Sequence, residues 1–235
     1  MNSSKKSILN SNFTYLAAFV LPVIMMMALY YTRGIFPWGN ECYLRSDMYH
    51  QYAPFFSELW HKIRNGESLT YSWNIGMGTN FTSLFAYYLA SPSNWFVALF
   101  PQKYTIEIMN AFIILKIAGS SLSLTYYLTK HNNNKHVIAA IFGMFYGMSG
   151  FIAAYSWNIM WLDCVILVPL IMLGLERLVN ENRCIFYCIT LGLCIFTNYY
   201  IAIMVCLSVV IYYVVLMIAY NGIKSPMQYL SLIHI

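Results

Sequence analysis

The chain has 235 residues, of which 60% are hydrophobic and only 9% charged. A water-soluble domain carries about 25% charged residues, so this chain cannot coat a wetted surface and reads as an all-α polytopic membrane protein. Its formal net charge of +5 is no sign of nucleic-acid binding, because in such a chain the placement of charges matters more than their sum.

Residues 1–12 form a short polar terminus with Lys5 and Lys6, expected on the cytoplasmic side. Residues 13–32 are long and apolar enough for a first span. Tyr30-Tyr-Thr-Arg33 offers no small-residue cleavage site, so this span reads as an uncleaved anchor. Residues 33–104 form an outer loop, and a connection that long in so apolar a chain is usually functional. Within it, Pro54 to Asn65 predicts a helix, with proline in the first turn and Gly66 just past the end. Phe55, Phe56, Leu59, Trp60 and Ile63 share one face, with Ser57, Glu58, His61, Lys62 and Arg64 opposite. That pattern predicts a juxtamembrane amphipathic helix lying in the lipid headgroup plane. Residues 71–80 are turn-rich, with Gly76 and Gly78 permitting unusual backbone angles. Leu84 to Phe100 is apolar but interrupted by Ser91-Pro-Ser-Asn94, which predicts two short surface or re-entrant pieces, since that break is hard to bury in lipid.

Five further spans are expected at 105–128, 137–155, 164–179, 184–200 and 201–220, six in all, with 221–235 read as a truncated tail. Gly143, Gly147 and Gly150 should permit close helix contact, and Asn198-Tyr-Tyr200 should form a tight turn. Basic residues set the orientation. Lys5, Lys6, Lys130, Lys135, Arg177, Arg183 and Lys224 crowd short connections on one side. Arg33, Arg45, Lys62, Arg64 and Lys103 are spread over the long loop on the other. The density places the N-terminus inside and the long loop outside. Asp47 and Asp163, the only two aspartates, then share the outer face.

Asp47 reads either as a general base taking a proton from an acceptor hydroxyl or as a helix N-cap. Arg45 can fork onto a phosphate or contact lipid headgroups. Tyr49, His50 and Gln51 are candidates to orient a sugar or phosphate, the plain alternative for His50 being a solvated loop histidine. Asp163, at the lip of a span, is either a functional carboxylate or an interfacial residue facing water. Lys116 falls mid-span and needs a partner or a wet cavity; Glu107, nine residues away on the same helix, is out of reach. Five cysteines (Cys164, Cys184, Cys188, Cys194 and Cys206) lie in or at apolar segments without metal-ligand spacing, and Cys42 alone lies well out in the loop. No phosphate-binding glycine loop or nucleophile elbow is present. An outward-facing site meets no cytoplasmic nucleotide sugar, so a sugar donor there has to be lipid-linked.

Ser46-Asp-Met-Tyr-His-Gln-Tyr-Ala-Pro-Phe-Phe56, Asn74-Ile-Gly-Met-Gly-Thr-Asn80, Tyr88-Leu-Ala-Ser-Pro-Ser-Asn94 and Trp161-Leu-Asp-Cys-Val-Ile-Leu-Val-Pro-Leu170 resemble the YfhO family of bacterial membrane proteins. The resemblance runs from about Phe13 to Tyr220. That family is similar to GT-C glycosyltransferases, multispan enzymes using polyprenyl-phosphate sugars, with an acidic residue in the first outer loop. The resemblance implies a GT-C-like bundle in the cell membrane, Asp47 as the catalytic carboxylate, and a cell-wall polymer such as lipoteichoic acid as acceptor. Family members run on for more spans than this chain has. The expected reaction is sugar transfer from a polyprenyl-phosphate carrier, with Arg45 and His50 on the leaving phosphate and Asp163 shaping a substrate pocket. Membrane lipid and the wall polymer are the expected partners, and the resemblance leaves a divalent metal open. The alternatives are a transporter or flippase with Lys116 and Asp163 lining a midplane path, and a non-catalytic membrane subunit.

Overall fold

The structure, a computed structural model, describes residues 2–44, 46–133 and 137–219, with side chains from Asn12 onward. Arg45, Lys135, Lys224 and the 221–235 tail lie outside the described residues, as do the side chains of Lys5 and Lys6. Helix α1 covers Asn2–Arg33. It therefore takes in the polar stretch expected to precede the first span, since an apolar helix once nucleated gains a hydrogen bond for each residue added. A turn closed by Glu41 N–H on the Gly34 carbonyl at 3.0 Å leads to a π-helical turn, Met48–Tyr52. Helix α2 follows at Ala53–Asn65, with Pro54 in its first turn and Gly66 ending it in the left-handed conformation at φ 65°. A short antiparallel hairpin, β1 (Tyr71–Ser72) with β2 (Thr79–Asn80), runs into α3 (Phe81–Leu84).

The segment expected as two short pieces is indeed broken. The π-helical turn Phe85–Leu89 and the 3-10 helix Pro92–Leu99 flank a stop at Ala90-Ser91. Six helices then build the bundle: α4 (Thr105–His131), α5 (Ile138–Gly147), α6 (Gly150–Tyr155), α7 (Leu162–Glu181), α8 (Ile185–Thr197) and α9 (Tyr199–Ala219). Among the described residues, four segments are long and apolar enough to cross a membrane: Asn12–Arg33, Gln102–His131, Ile138–Tyr155 and Tyr199–Ala219. Helix α7 carries Asp163, Glu176, Arg177 and Glu181, and α8 has 13 residues, about 20 Å against a hydrocarbon core of about 30 Å.

Helix α4 is central, packing on α1, α5 and α7. Two contacts define the ends of the bundle. At one, Tyr15 on α1 meets the Thr129 hydroxyl at the end of α4 (2.8 Å). At the other, the Asn198 amide donates to the Tyr87 carbonyl at 3.0 Å, and its Oδ1 accepts from Ile201 N–H at 2.9 Å to start α9. The long loop, the 156–161 turn and the α8–α9 turn therefore share one end. At the opposite end, Glu176 on α7 accepts from Tyr127 (2.7 Å), Tyr212 (2.6 Å) and His131 (2.9 Å), tying α4, α7 and α9 together.

The long loop is a folded cap. Leu44, Met48, Tyr52, Phe55, Phe56 and Leu59 join Met109, Ile113, Ile159 and Met160 in one apolar core. The predicted amphipathic face of α2 is buried there, but its polar face departs from expectation. Glu58 and Lys62 are buried too, under the hairpin. Lys62 Nζ donates to the carbonyls of Ser68 (3.0 Å) and Tyr71 (2.8 Å), while Glu58 accepts from Ser72 (2.6 Å) and Asn74 (3.0 Å). Chain covers that part of the face, because an i,i+4 ion pair with its remaining bonds satisfied can be buried, while Arg64 stays exposed.

A Cβ on Gly147 would lie 2.8 Å from the Ile117 carbonyl oxygen, and one on Gly143 would strike the Ser121 carbonyl and the Thr125 hydroxyl. Gly150 faces open space, so it does not serve the helix contact expected of it. Gly174, which no sequence pattern marks, brings α7 against the Tyr187 backbone, where a Cβ would come within 2.7 Å of Cα. Gly147→Val is expected to destabilise the bundle by about 1–3 kcal/mol, with Gly150→Ala near wild type. Thermal melts in detergent check both.

Candidate functional site

The loop end is stitched together by aromatic and hydroxyl side chains. Tyr52, ending the π-helical turn, stacks on Trp157 with centroids 6.3 Å apart and planes at 8°. Its hydroxyl donates to Asn158 Oδ1 at 3.1 Å. The Tyr43 and Ser156 hydroxyls are hydrogen-bonded at 2.7 Å. Gln51 Nε2 donates to the Tyr88 hydroxyl at 3.3 Å. Each of these bonds pins the loop to the 156–158 turn or to the segment following the hairpin, so the backbone around position 47 is placed by tertiary contacts.

Asp47 opens that π-helical turn. Ser46 before it takes the left-handed conformation at φ 51°, which turns its carbonyl to accept from both Tyr49 and His50 N–H at 3.1 Å. The backbone carbonyl of Ser46 thus holds the turn. Asp47 stands at the N-cap position, yet its carboxylate makes no capping bond. Its side chain is exposed, and among the described residues it makes no hydrogen bond or ion pair. Tyr49 and His50 are exposed beside it, their rings edge to face at 5.4 Å. The Tyr52 phenol is pushed well above its ordinary range, by burial first and then by Tyr88 and the Asp47 charge. Tyr88 is raised by burial and by Tyr87, with the Gln51 bond opposing. Both phenols stay neutral at ordinary pH.

Two cavities adjoin this turn. The larger, about 870 Å³, is lined by Leu29, Arg33, Ile35, Glu41, Cys42, Tyr43, Ser46, Ala153, Ser156 and Trp157. The smaller, about 390 Å³, is lined by Tyr49, Ala53, Pro54, Ser57, Gln102, Lys103, Thr105 and Ile106. Ser46 borders the first and Tyr49 the second, so Asp47 falls between them in the chain.

Asp163 is engaged elsewhere. It lines neither cavity, and its Oδ2 lies 2.6 Å from Lys116 Nζ, which also donates to the Ile159 carbonyl at 3.2 Å. The Lys116 side chain is 5% exposed and that of Asp163 14%. The structure thus gives the mid-span lysine its partner across two helices, and brings Asp47, Tyr49, His50 and Gln51 together without Asp163. Tyr52, Asn158 and Arg33 were not singled out from sequence. Glu176 was also missed, although a lone carboxylate in an apolar stretch carries the same flag as Lys116.

Because Tyr52 ionises less readily folded than unfolded, the stability it contributes is present below its ordinary pKa of 10.0 and is lost as pH rises above that value. Tyr52→Phe is therefore expected to flatten the alkaline fall in melting temperature. At neutral pH it should cost about 1 kcal/mol, the net worth of the bond to Asn158. Melts from pH 7 to 11 check this.

No curated protein and no solved structure matches the chain. A family model described as bacterial membrane protein YfhO matches residues 17–235. With nearly the whole sequence inside that match, and a bundle of apolar helices as its fold, the chain belongs to the YfhO family of bacterial membrane proteins.

Proposed function

We propose that this protein is a glycosyltransferase of the cell membrane, moving a sugar from a polyprenyl-phosphate carrier to an extracytoplasmic cell-wall acceptor such as lipoteichoic acid. Its family is associated with glycosyltransferase-like function. The single observation that carries the reading is Asp47: an exposed carboxylate that caps nothing and has no bond partner among the described residues, at a turn bordered by two cavities. In the reaction, Asp47 takes the proton of the acceptor hydroxyl. The freed oxygen attacks the anomeric carbon, and the bond from that carbon to the phosphate oxygen breaks. The polyprenyl phosphate leaves with the electron pair, where a cation stabilises the developing charge. Tyr49, His50 and Gln51 stand within a turn of the base, where they orient the substrate, with His50 and Arg45 on the leaving phosphate. Arg45 is the nearest arginine in sequence to the base.

The orientation proposed is N-terminus inside, with six crossings. Lys130, Arg177 and Arg183 fall at or near the end of the bundle opposite the loop, in line with positive charge gathering on the cytoplasmic side. The test is transfer of a labelled sugar from a synthetic polyprenyl-phosphate donor by the protein in proteoliposomes, wild type against Asp47→Asn. Equal rates would remove Asp47 from the chemistry.

A further inference from the structure

The larger cavity has a composition that a base-bearing turn alone does not require. Leu29 and Arg33 lie four residues apart on α1, hence one above the other on the same face. Leu29 is 43% exposed, and Ala153, also exposed, forms part of the facing wall. The cavity therefore grades from an apolar flank to a cationic mouth along one helix. Arg33 is exposed in the last turn of α1, where the helix carbonyls favour a cation. Among the described residues its guanidinium has no carboxylate within ion-pair distance. It is free to fork onto a phosphate.

Glu41, the one carboxylate in this lining, is held beside Gly34 by its own backbone bond. A bare anion would meet its repulsion and gain nothing from Leu29 or Ala153. A sugar on a lipid phosphate uses every wall: hydroxyls to donate to Glu41, a phosphate for Arg33, and a hydrocarbon for the flank. About 870 Å³ is also more room than a phosphate needs, and is the size of sites that enclose small organic ligands.

We propose that this cavity seats the glycosyl-phosphate head of a lipid-linked donor, with Arg33 on the phosphate, Glu41 on the sugar hydroxyls, and the chain leaving along Leu29 toward the bilayer. It takes the lipid-linked donor from the function proposed above and adds the residues that hold it.

Cys42 lines the same cavity and is half-buried, so its thiol reports occupancy. The full chain, with its other five cysteines replaced, is placed in nanodiscs and labelled by a maleimide. Polyprenyl phosphate, phosphatidylglycerol and inorganic phosphate are tested as protectants. Polyprenyl phosphate is expected to slow Cys42 labelling where the other two do not. Arg33→Gln should raise the half-protecting concentration about tenfold, with Arg33→Lys in between. Equal protection by phosphatidylglycerol would make this a general anionic-lipid site, and protection by inorganic phosphate a soluble-anion site. Either result overturns the proposal, as does undiminished protection in an Arg33→Gln protein that melts like wild type. Asp47→Asn should keep full protection. A protein that protects Cys42 but transfers no sugar thus refutes the proposed reaction and leaves the cavity assignment standing.

Discussion

Sugar transfer by the Asp47→Asn protein is expected to fall by about 10²- to 10⁴-fold, the loss typical of a missing general base, with its melting temperature unchanged. The two halves of that expectation come from the same geometry. The Asp47 carboxylate is exposed and caps nothing, while the turn it opens is held by the Ser46 carbonyl and by Tyr52 on Asn158. Replacing the carboxylate by an amide of the same shape removes a proton acceptor and disturbs no contact. A capping aspartate would show itself in Asp47→Ala instead, which would then lose about 1 kcal/mol of stability and no turnover, because asparagine caps as well as aspartate. Rates from single-turnover transfer, set beside melts of the same preparations, separate the two. A drop in melting temperature with transfer intact would return Asp47 to a structural role.

The second large effect is on the fold. Lys116→Met leaves the Asp163 carboxylate, 14% exposed, without its 2.6 Å partner, and stripping one member from a buried pair costs about 3–5 kcal/mol. The Ile159 carbonyl loses its donor as well. That loss loosens the turn carrying Trp157 and Asn158, on which Tyr52 rests. Asp163→Asn should destabilise by a similar route, leaving the ammonium charged and buried. The double variant Lys116→Met/Asp163→Leu should recover most of the loss, because two apolar residues can replace a buried pair at little net cost. Denaturation of the three variants in detergent checks the pattern. A double variant no more stable than either single one would show that the pair does not act as a unit.

Several of these residues announced themselves in the chain. A lysine in the middle of an apolar span needs an anion, and Lys116 shows that need in the sequence alone. Proline and glycine bracket α2 as its start and stop chemistry requires, and Ser91-Pro92 interrupts the segment that follows. Asp47 stands out as one of only two aspartates in the chain and the one in the long polar connection. The partners were not legible, because each bond joins elements far apart in sequence. Asp163 reaches Lys116 from α7, Asn158 reaches Tyr52 from the 156–161 turn, and the hairpin after α2 reaches back to bury Glu58 and Lys62. Glu176 gathers Tyr127, His131 and Tyr212 from two other helices, and no local pattern marks such a convergence.

Composition and periodicity by themselves determined that this is an α-helical membrane chain with one long loop, since sparse charge and apolar runs leave no other way to satisfy the backbone. Only the tertiary structure decided that the loop folds as a cap, that Asp163 is held by Lys116 while Asp47 has no partner among the described residues, and that Arg33 borders a cavity beside Ser46. The physical reason is distance along the chain. Hydropathy and capping act over a few residues, whereas ion pairs, ring stacking and cavities are made where remote segments meet.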